Sequence, residues 1–348
     1  MNSNDIAKIA GVSRSTVSRV INNYSNVPED TRQKVLKVIK EYNYVPHASA
    51  RMLAGYKNRI IGLFIIDIVK RIGGTKNRIT KSPYYLEFTS SVIEAASQKG
   101  YKVLVHIIHD ESRYEEIKEC FYNKTISGGI FIGENNDDLE IKRIIQDGYK
   151  VVLVDQDINL YNNDNKCVIV NSDNYSGAYN ATNYLISLNH SKIAHITGDI
   201  KKFSSIQRLE GYKKSLQDSN IEIRDEFIIF SEFIEEGGYN SAKKILSMED
   251  RPTAIFAAND KIAIGAIKAI KEYGLKVPND ISIIGFDNIE ESKYLETPLT
   301  TMQMELIEMA ELAANSIIDS IENNINIFKS YNVPTTLISR KSCKYLRD

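Results

Sequence analysis

The sequence predicts two unlike parts, a small all-α helix-turn-helix head and a larger α/β body of two doubly wound parallel-sheet lobes. Three observations predict this. Residues 1–59 hold ten Lys or Arg against four Asp or Glu, a net of +6, and subtraction from the totals of 44 and 45 leaves 34 against 41, or −7, for the rest. Within the head, apolar residues recur at helical spacing around short turns. From residue 60, continuous Val- and Ile-rich runs alternate with amphipathic stretches of helical length. Runs apolar on both faces and separated by helices read as parallel strands, and their number exceeds one comfortable sheet.

In the head, Ile6, Ala7, Ile9 and Ala10 give the first helix an apolar face, ended by Gly11, which readily takes the left-handed conformation. Ser13 can cap a second helix whose Val17, Val20 and Ile21 fall at i, i+3 and i+4. "NYSNVPEDTR" reads as a turn, with Pro28, Glu29 and Asp30 suited to the start of a third helix. That helix buries Val35, Val38 and Ile39, shows Lys34, Lys37 and Lys40 to solvent, and stops at Pro46. A further segment, "HASARMLAG", has helix-compatible residues but too little apolar surface to be stable alone.

The body offers strands at 60–66, 102–108, 128–132, 151–154, 167–170, 192–197, 226–230, 253–258 and 281–285. Helices such as "YLEFTSSVIEAASQKG" and "DKIAIGAIKAIKEYG" lie between them. Ligands of such sheets bind beyond the carboxyl ends of the strands, so polar residues just after each run are the candidates for a site.

The 348 residues allow two or three domains. No run approaches the ~18 apolar residues of a membrane span, and "MNSNDIAKIAG" lacks the layout of a secretory signal. Cys120, Cys167 and Cys343 are odd in number and far apart, which suits reduced thiols in a cytoplasm and gives no metal spacing. No phosphate-binding glycine loop, metal cluster or motif-tied nucleophile–base pair supports an enzyme, and no cofactor is implied. His106, His109, His190 and His195 sit on or beside strands, where packing or capping is the usual role.

The tight Gly-Val-Ser turn makes the first two helices a helix-turn-helix candidate. In that geometry Arg14, Ser15 and Arg19 reach toward base edges, while Ser13, Thr16 and Ser18 suit phosphates and base edges. A surface helix of solvated Ser and Arg is the plain alternative. The whole stretch "DIAKIAGVSRSTVSRVINNYSNVPEDTRQKVLKVIKEYNYVPHASARMLAG" resembles the DNA-binding headpiece of the lac/gal repressor family. The resemblance implies that "HASARMLAG" becomes a hinge helix on operator DNA. It also implies that Leu53 of each subunit wedges into the minor groove, as an apolar side chain between base steps can.

The resemblance continues through "VNSDNYSGAYNATNYLISLNHSKIAHITGD", "RLEGYKKSL", "EEGGYNSAKKIL", "PTAIFAANDKIAIGAIKAIKEYGLKVPNDISIIGFDNIE" and "TPLTTM". These resemble that family's effector core, which has the periplasmic-binding-protein-like fold. The implied divisions are a headpiece at 1–45, a hinge at 46–59, an N-terminal lobe at 60–170 and 302–330, and a C-terminal lobe at 171–301 and 331–348. The implied effector contacts are Tyr84, Tyr85, Asp155, Ser204, Arg208, Phe233, Asn259 and Asp287. Their chemistry suits a polyol: Arg208 and Asp287 can hold adjacent hydroxyls, and Phe233 offers a platform for a sugar face. Asn259 and Asp287 equally suit capping after a strand, and Tyr84 and Tyr85 equally suit core packing.

The implied function is a homodimeric, ligand-responsive regulator, a repressor of carbohydrate-use genes that binds a palindromic operator and a sugar or sugar phosphate. The alternatives are control by a protein partner, as in the catabolite-control branch, and a transport-type sugar-binding protein. One departure from the family pattern is the insertion "IVKRIGGTKNRITKSP" between Asp67 and Tyr84. It is a surface loop or a lid whose Lys70, Arg71, Lys76, Arg78 and Lys81 would favour an acidic sugar. Lys202, near Ser204, is a second cation for such a ligand.

Overall fold

The computed structural model describes residues 1–21, 24–44, 58–67, 82–161 and 166–347. Leu53, residues 46–57 of the hinge and residues 68–81 of the basic insertion lie outside these. The chain forms two compact units, Met1–Arg59 and Ile60–Asp348.

The first unit carries α1 (Ser3–Ala10), α2 (Arg14–Ile21) and α3 (Glu29–Glu41). Asn2 opens α1 with a capping box: its side chain accepts from the Asp5 backbone, and the Asp5 carboxylate accepts from the Asn2 N–H at 2.8 Å. Gly11 closes α1 at φ 64°. Ile6, Ala7, Ala10, Val17, Val20, Val27, Val35, Val38 and Tyr44 form the core. Ile9 departs from expectation and is 45% exposed. At about 100° per residue it lies well round the helix from the stripe centred on Ile6, Ala7 and Ala10.

The second unit contains two six-stranded sheets. The first is built from β1 (Ile60–Ile66), β2 (Lys102–Ile108), β3 (Gly129–Ile132), β4 (Val151–Val154), β5 (Val168–Ser172) and β11 (Lys329–Val333). The second is built from β6 (Ile193–Ile196), β7 (Ile228–Ile229), β8 (Ala254–Ala257), β9 (Ser282–Asp287), β10 (Thr300–Gln303) and β12 (Thr336–Ile338). Their orders are β11-β5-β4-β3-β1-β2 and β12-β10-β9-β8-β6-β7. Every pairing is parallel except β10 with β12.

Helices α4 (Pro83–Gln98), α5 (Tyr114–Tyr122) and α6 (Leu139–Gln146) link strands of the first sheet, α7 (Asn174–Ser187) leads from β5 of the first sheet to β6 of the second, and α8 (Phe203–Asp218), α9 (Glu235–Leu246) and α10 (Asp260–Glu272) link strands of the second. The last helix, α11 (Leu306–Asn323), follows β10 yet packs against α4. Among the described residues the chain therefore passes between lobes three times, after β5, after β10 and after β11. β5, β10 and β11 each run two or three residues past the lobe divisions expected from sequence.

Candidate functional site

On the head, Ser13, Arg14, Ser15, Ser18 and Arg19 are exposed and Thr16 half-buried, all on or just before α2. Val17 and Val20 point the other way, into the core. The Ser13 hydroxyl accepts from the Thr16 N–H at 3.1 Å and lies 2.7 and 2.8 Å from the Ser15 and Thr16 hydroxyls. It thus caps α2 and orders the polar row at its N-terminal end. Two valines hold the helix, leaving its Arg and Ser side chains outward.

In the second unit, the polar residues that end the strands converge on Arg208. This side chain, carried one helical turn beyond Ser204 on α8, is 3% exposed. Its Nε donates to Asn174 Oδ1 at 2.9 Å, its Nη1 to the Ala258 carbonyl, and its Nη2 to Met304 Sδ at 3.3 Å. Nη1 lies 3.6 Å from Asp287 Oδ1. The guanidinium stacks 3.8 Å over the Phe286 ring and 5.7 Å from that of Phe233.

The first lobe contributes Asp155, the residue after β4. Tyr84 donates its hydroxyl to Asp155 Oδ2 at 3.1 Å, and Asn174, across the lobe junction, donates to Oδ1 at 3.2 Å. Asn174 therefore bridges Arg208 and Asp155. Tyr85 packs edge-on to Tyr84 with ring centroids 5.2 Å apart. Both carboxylates sit on strained backbone, Asp155 at φ 57° and Asp287 at φ 106°. Non-glycine residues persist there only when their surroundings hold them.

Electrostatics follow from enclosure. Burial pushes Asp287 up to about 7, opposed by Arg208 and reinforced by Asp155. Burial also raises Asp155, against the pull of Arg208 and the donors Tyr84 and Asn174. The Tyr84 hydroxyl is raised by burial and by Asp155. Burial lowers Arg208, while Asp287 and Asp155 support its charge. A desolvated donor fork between two acceptors of tunable protonation is suited to a ligand presenting neighbouring hydroxyls.

Ser204 is buried at the start of α8. The Phe233 ring lies against Gly198, where any Cβ would come within 2.2 Å of it, so a glycine there lets the ring reach the site. Asn259 spends its side chain on a cap, accepting from the Ile262 N–H at 2.8 Å. The neighbouring Asp260 is fully buried and accepts from Thr301 Oγ1 at 2.6 Å and the Ile289 N–H at 2.9 Å. Sequence reasoning missed Asn174, Phe286 and Met304 around Arg208. It also missed Glu134, although this residue follows an apolar run as Asp155, Asn259 and Asp287 do. Among the described residues, no group of three or more His, Cys, Asp or Glu could hold a metal ion, and no helix is long and apolar enough to cross a membrane.

Residues 4–47 match the model of bacterial regulatory proteins of the lacI family, and residues 182–343 match the periplasmic binding protein-like domain. The HTH-type transcriptional repressor PurR of Mannheimia succiniciproducens is 32% identical over 342 residues, covering 98% of each chain. The HTH-type transcriptional regulator MalR of Clostridium butyricum is 35% identical over 352 residues, covering 99% of each. Among solved structures, the lac repressor dimer bound to operator and the anti-inducer ONPF superposes with a TM-score of 0.79 at 26% identity, covering 98% of each chain. With relatives that span its whole length and match both its DNA-reading head and its two-lobed body, the chain belongs to the lacI family of bacterial regulatory proteins, which are transcriptional repressors and not enzymes.

Proposed function

We propose that the protein represses carbohydrate-use genes in the cytoplasm by binding a palindromic operator as a homodimer. A sugar-type effector held between the lobes sets operator affinity. One observation carries the effector reading: a buried guanidinium, Arg208, draws Asp287 of one lobe and, through Asn174, Asp155 of the other into one polar cluster. A ligand binding these groups would touch both lobes, and so would favour one lobe arrangement over another. Differential affinity for two arrangements is what coupling to DNA requires. The head supports the DNA end of the mechanism, with two copies reading inverted half-sites about one helical turn apart.

The test is a gel shift on DNA upstream of the gene, titrated with sugars and sugar phosphates. A retarded complex that one sugar weakens or strengthens, and that Arg208→Met renders insensitive, is the expected result. Retardation equal on scrambled DNA, or indifference to every sugar, would overturn the reading.

A further inference from the structure

Two residues after β3, Glu134 is 3% exposed, yet neither carboxylate oxygen has a hydrogen-bond partner from another described residue, and only its own backbone N–H acts on it. β3 and β4 pair in parallel with Phe131 beside Leu153, so Glu134 and Gln156 each follow the carboxyl end of one of two neighbouring strands. The hydrogen bond from Gln156 Nε2 to the Asn135 carbonyl at 3.3 Å keeps the two segments together. Gln156 is fully buried, and its Oε1 likewise has no partner among the described residues. Three buried acceptor oxygens thus stand at neighbouring strand ends, with no donor from another described residue supplied to them.

The surroundings place them on the cleft. Gly133 sits against the Tyr85 hydroxyl on one side, and its carbonyl accepts from Lys202 Nζ of the other lobe. The adjacent Asn136 N–H donates to the Lys201 carbonyl at 2.9 Å, again across the lobes. Glu134 feels the charges of both Lys202 and Asp155. Three buried or half-buried carboxylates, Glu134, Asp155 and Asp287, therefore line the cleft, with Lys202 acting on the first and Arg208 on the other two. Burial without a partner costs a carboxylate several kcal/mol, a cost removed when a donor is brought to it.

We propose that Glu134 and Gln156 form an acceptor-rich subsite of the effector cleft, three oxygens against the single carboxyl proton of Glu134, that takes an amino or hydroxyl group of the ligand in preference to a phosphate or carboxylate. The effector is then a neutral sugar or an amino sugar and not a sugar phosphate. This rests on the effector reading above and names the ligand's charge.

The experiment measures thermal stabilisation and calorimetric affinity of the full-length protein with ribose, glucose, galactose, glucosamine, galactosamine, ribose 5-phosphate and glucose 6-phosphate. At least one neutral or amino sugar should bind, with the phosphate esters tenfold or more weaker. Glu134→Gln, which replaces one acceptor oxygen with an amide NH2, should weaken the preferred sugar about tenfold, the worth of one hydrogen bond, and narrow its margin over the phosphate. A phosphate ester that binds more tightly than its parent sugar overturns the subsite and leaves the effector reading standing. So does equal binding by Glu134→Gln, Glu134→Leu and the unaltered protein, as expected if water fills the space. No binding by any sugar while operator binding persists overturns the effector reading and the subsite with it.

Discussion

Replacing Arg208 with methionine keeps most of the side-chain volume and removes the charge, so it isolates what the guanidinium contributes. Three donations end, to Asn174, Ala258 and Met304, and Asp287 loses its ion-pair partner at 3.6 Å. The stack on Phe286 survives as apolar contact and loses its cation–π part. Breaking a buried pair by removing one partner costs about 3–5 kcal/mol, because the remaining carboxylate is left uncompensated. Protonation softens this cost, since Asp287 already stands at about 7 with the guanidinium present. The core should therefore lose ~3 kcal/mol near pH 6 and more near pH 8. At roughly 2 °C per kcal/mol for a domain of this size, melting falls about 6 °C at the lower pH. Calorimetric melting of both proteins across that range is the assay. A variant that melts within 1 °C of the parent, with the same pH slope, would refute the placement of Arg208 as the charge that holds the two lobes' acids.

Two further buried groups tilt stability with pH in opposite directions. Glu134 is raised by burial to about 8, so the folded state holds a proton that the unfolded chain has released; stability falls as pH rises from about 4.5 to 8, and urea titrations of Glu134→Gln should lack that limb. His195 is lowered by burial to about 4, so the unfolded chain binds its proton first; stability is intact above about 6.5 and falls as pH drops toward 4, and His195→Phe should flatten that acid limb in the same titrations. On the DNA side, Leu53→Ala should weaken operator binding by tenfold or more while leaving binding to random DNA nearly unchanged, measured by fluorescence anisotropy; equal losses on both would remove the wedge role.

The nine strands read from sequence are present as β1–β9, most of them Val- and Ile-rich runs buried on both faces; in β2 only Ile108 is buried, and β7 keeps two residues. β10, β11 and β12 escaped because their residues look wrong for a core. Thr300 and Thr301 of β10 are fully buried, yet a threonine pair carries no apolar signal. It is tolerated because Thr301 gives its hydroxyl to Asp260. β11 and β12 are edge strands, free to carry Lys329, Ser330 and Asn332. At the site, residues closing an apolar run were legible, as Asp155 and Asp287 illustrate. Asn174 and Met304 were not, because each lies at a crossing between lobes, where distant segments meet and local spacing holds no information. Ile9 misled because one helical turn of apolar residues does not say which of them lies at the stripe's centre.

The position of β11 has a consequence for how the protein is made. Until Lys329–Val333 arrives, β5 (Val168–Ser172) is a bare edge of the first sheet, although everything else in that sheet has been synthesised about 160 residues earlier. At 5–20 residues per second that interval is roughly 8–30 s. During it the first lobe holds five strands, in the order β5-β4-β3-β1-β2, with an apolar, unpaired flank at β5, a template for wrong partners. The nascent chain thus cannot bank one finished lobe before starting the next, and a premature stop anywhere before residue 329 leaves both sheets short of a strand. Truncated or stalled products should go to aggregation or proteolysis and not accumulate as half-molecules that still occupy DNA.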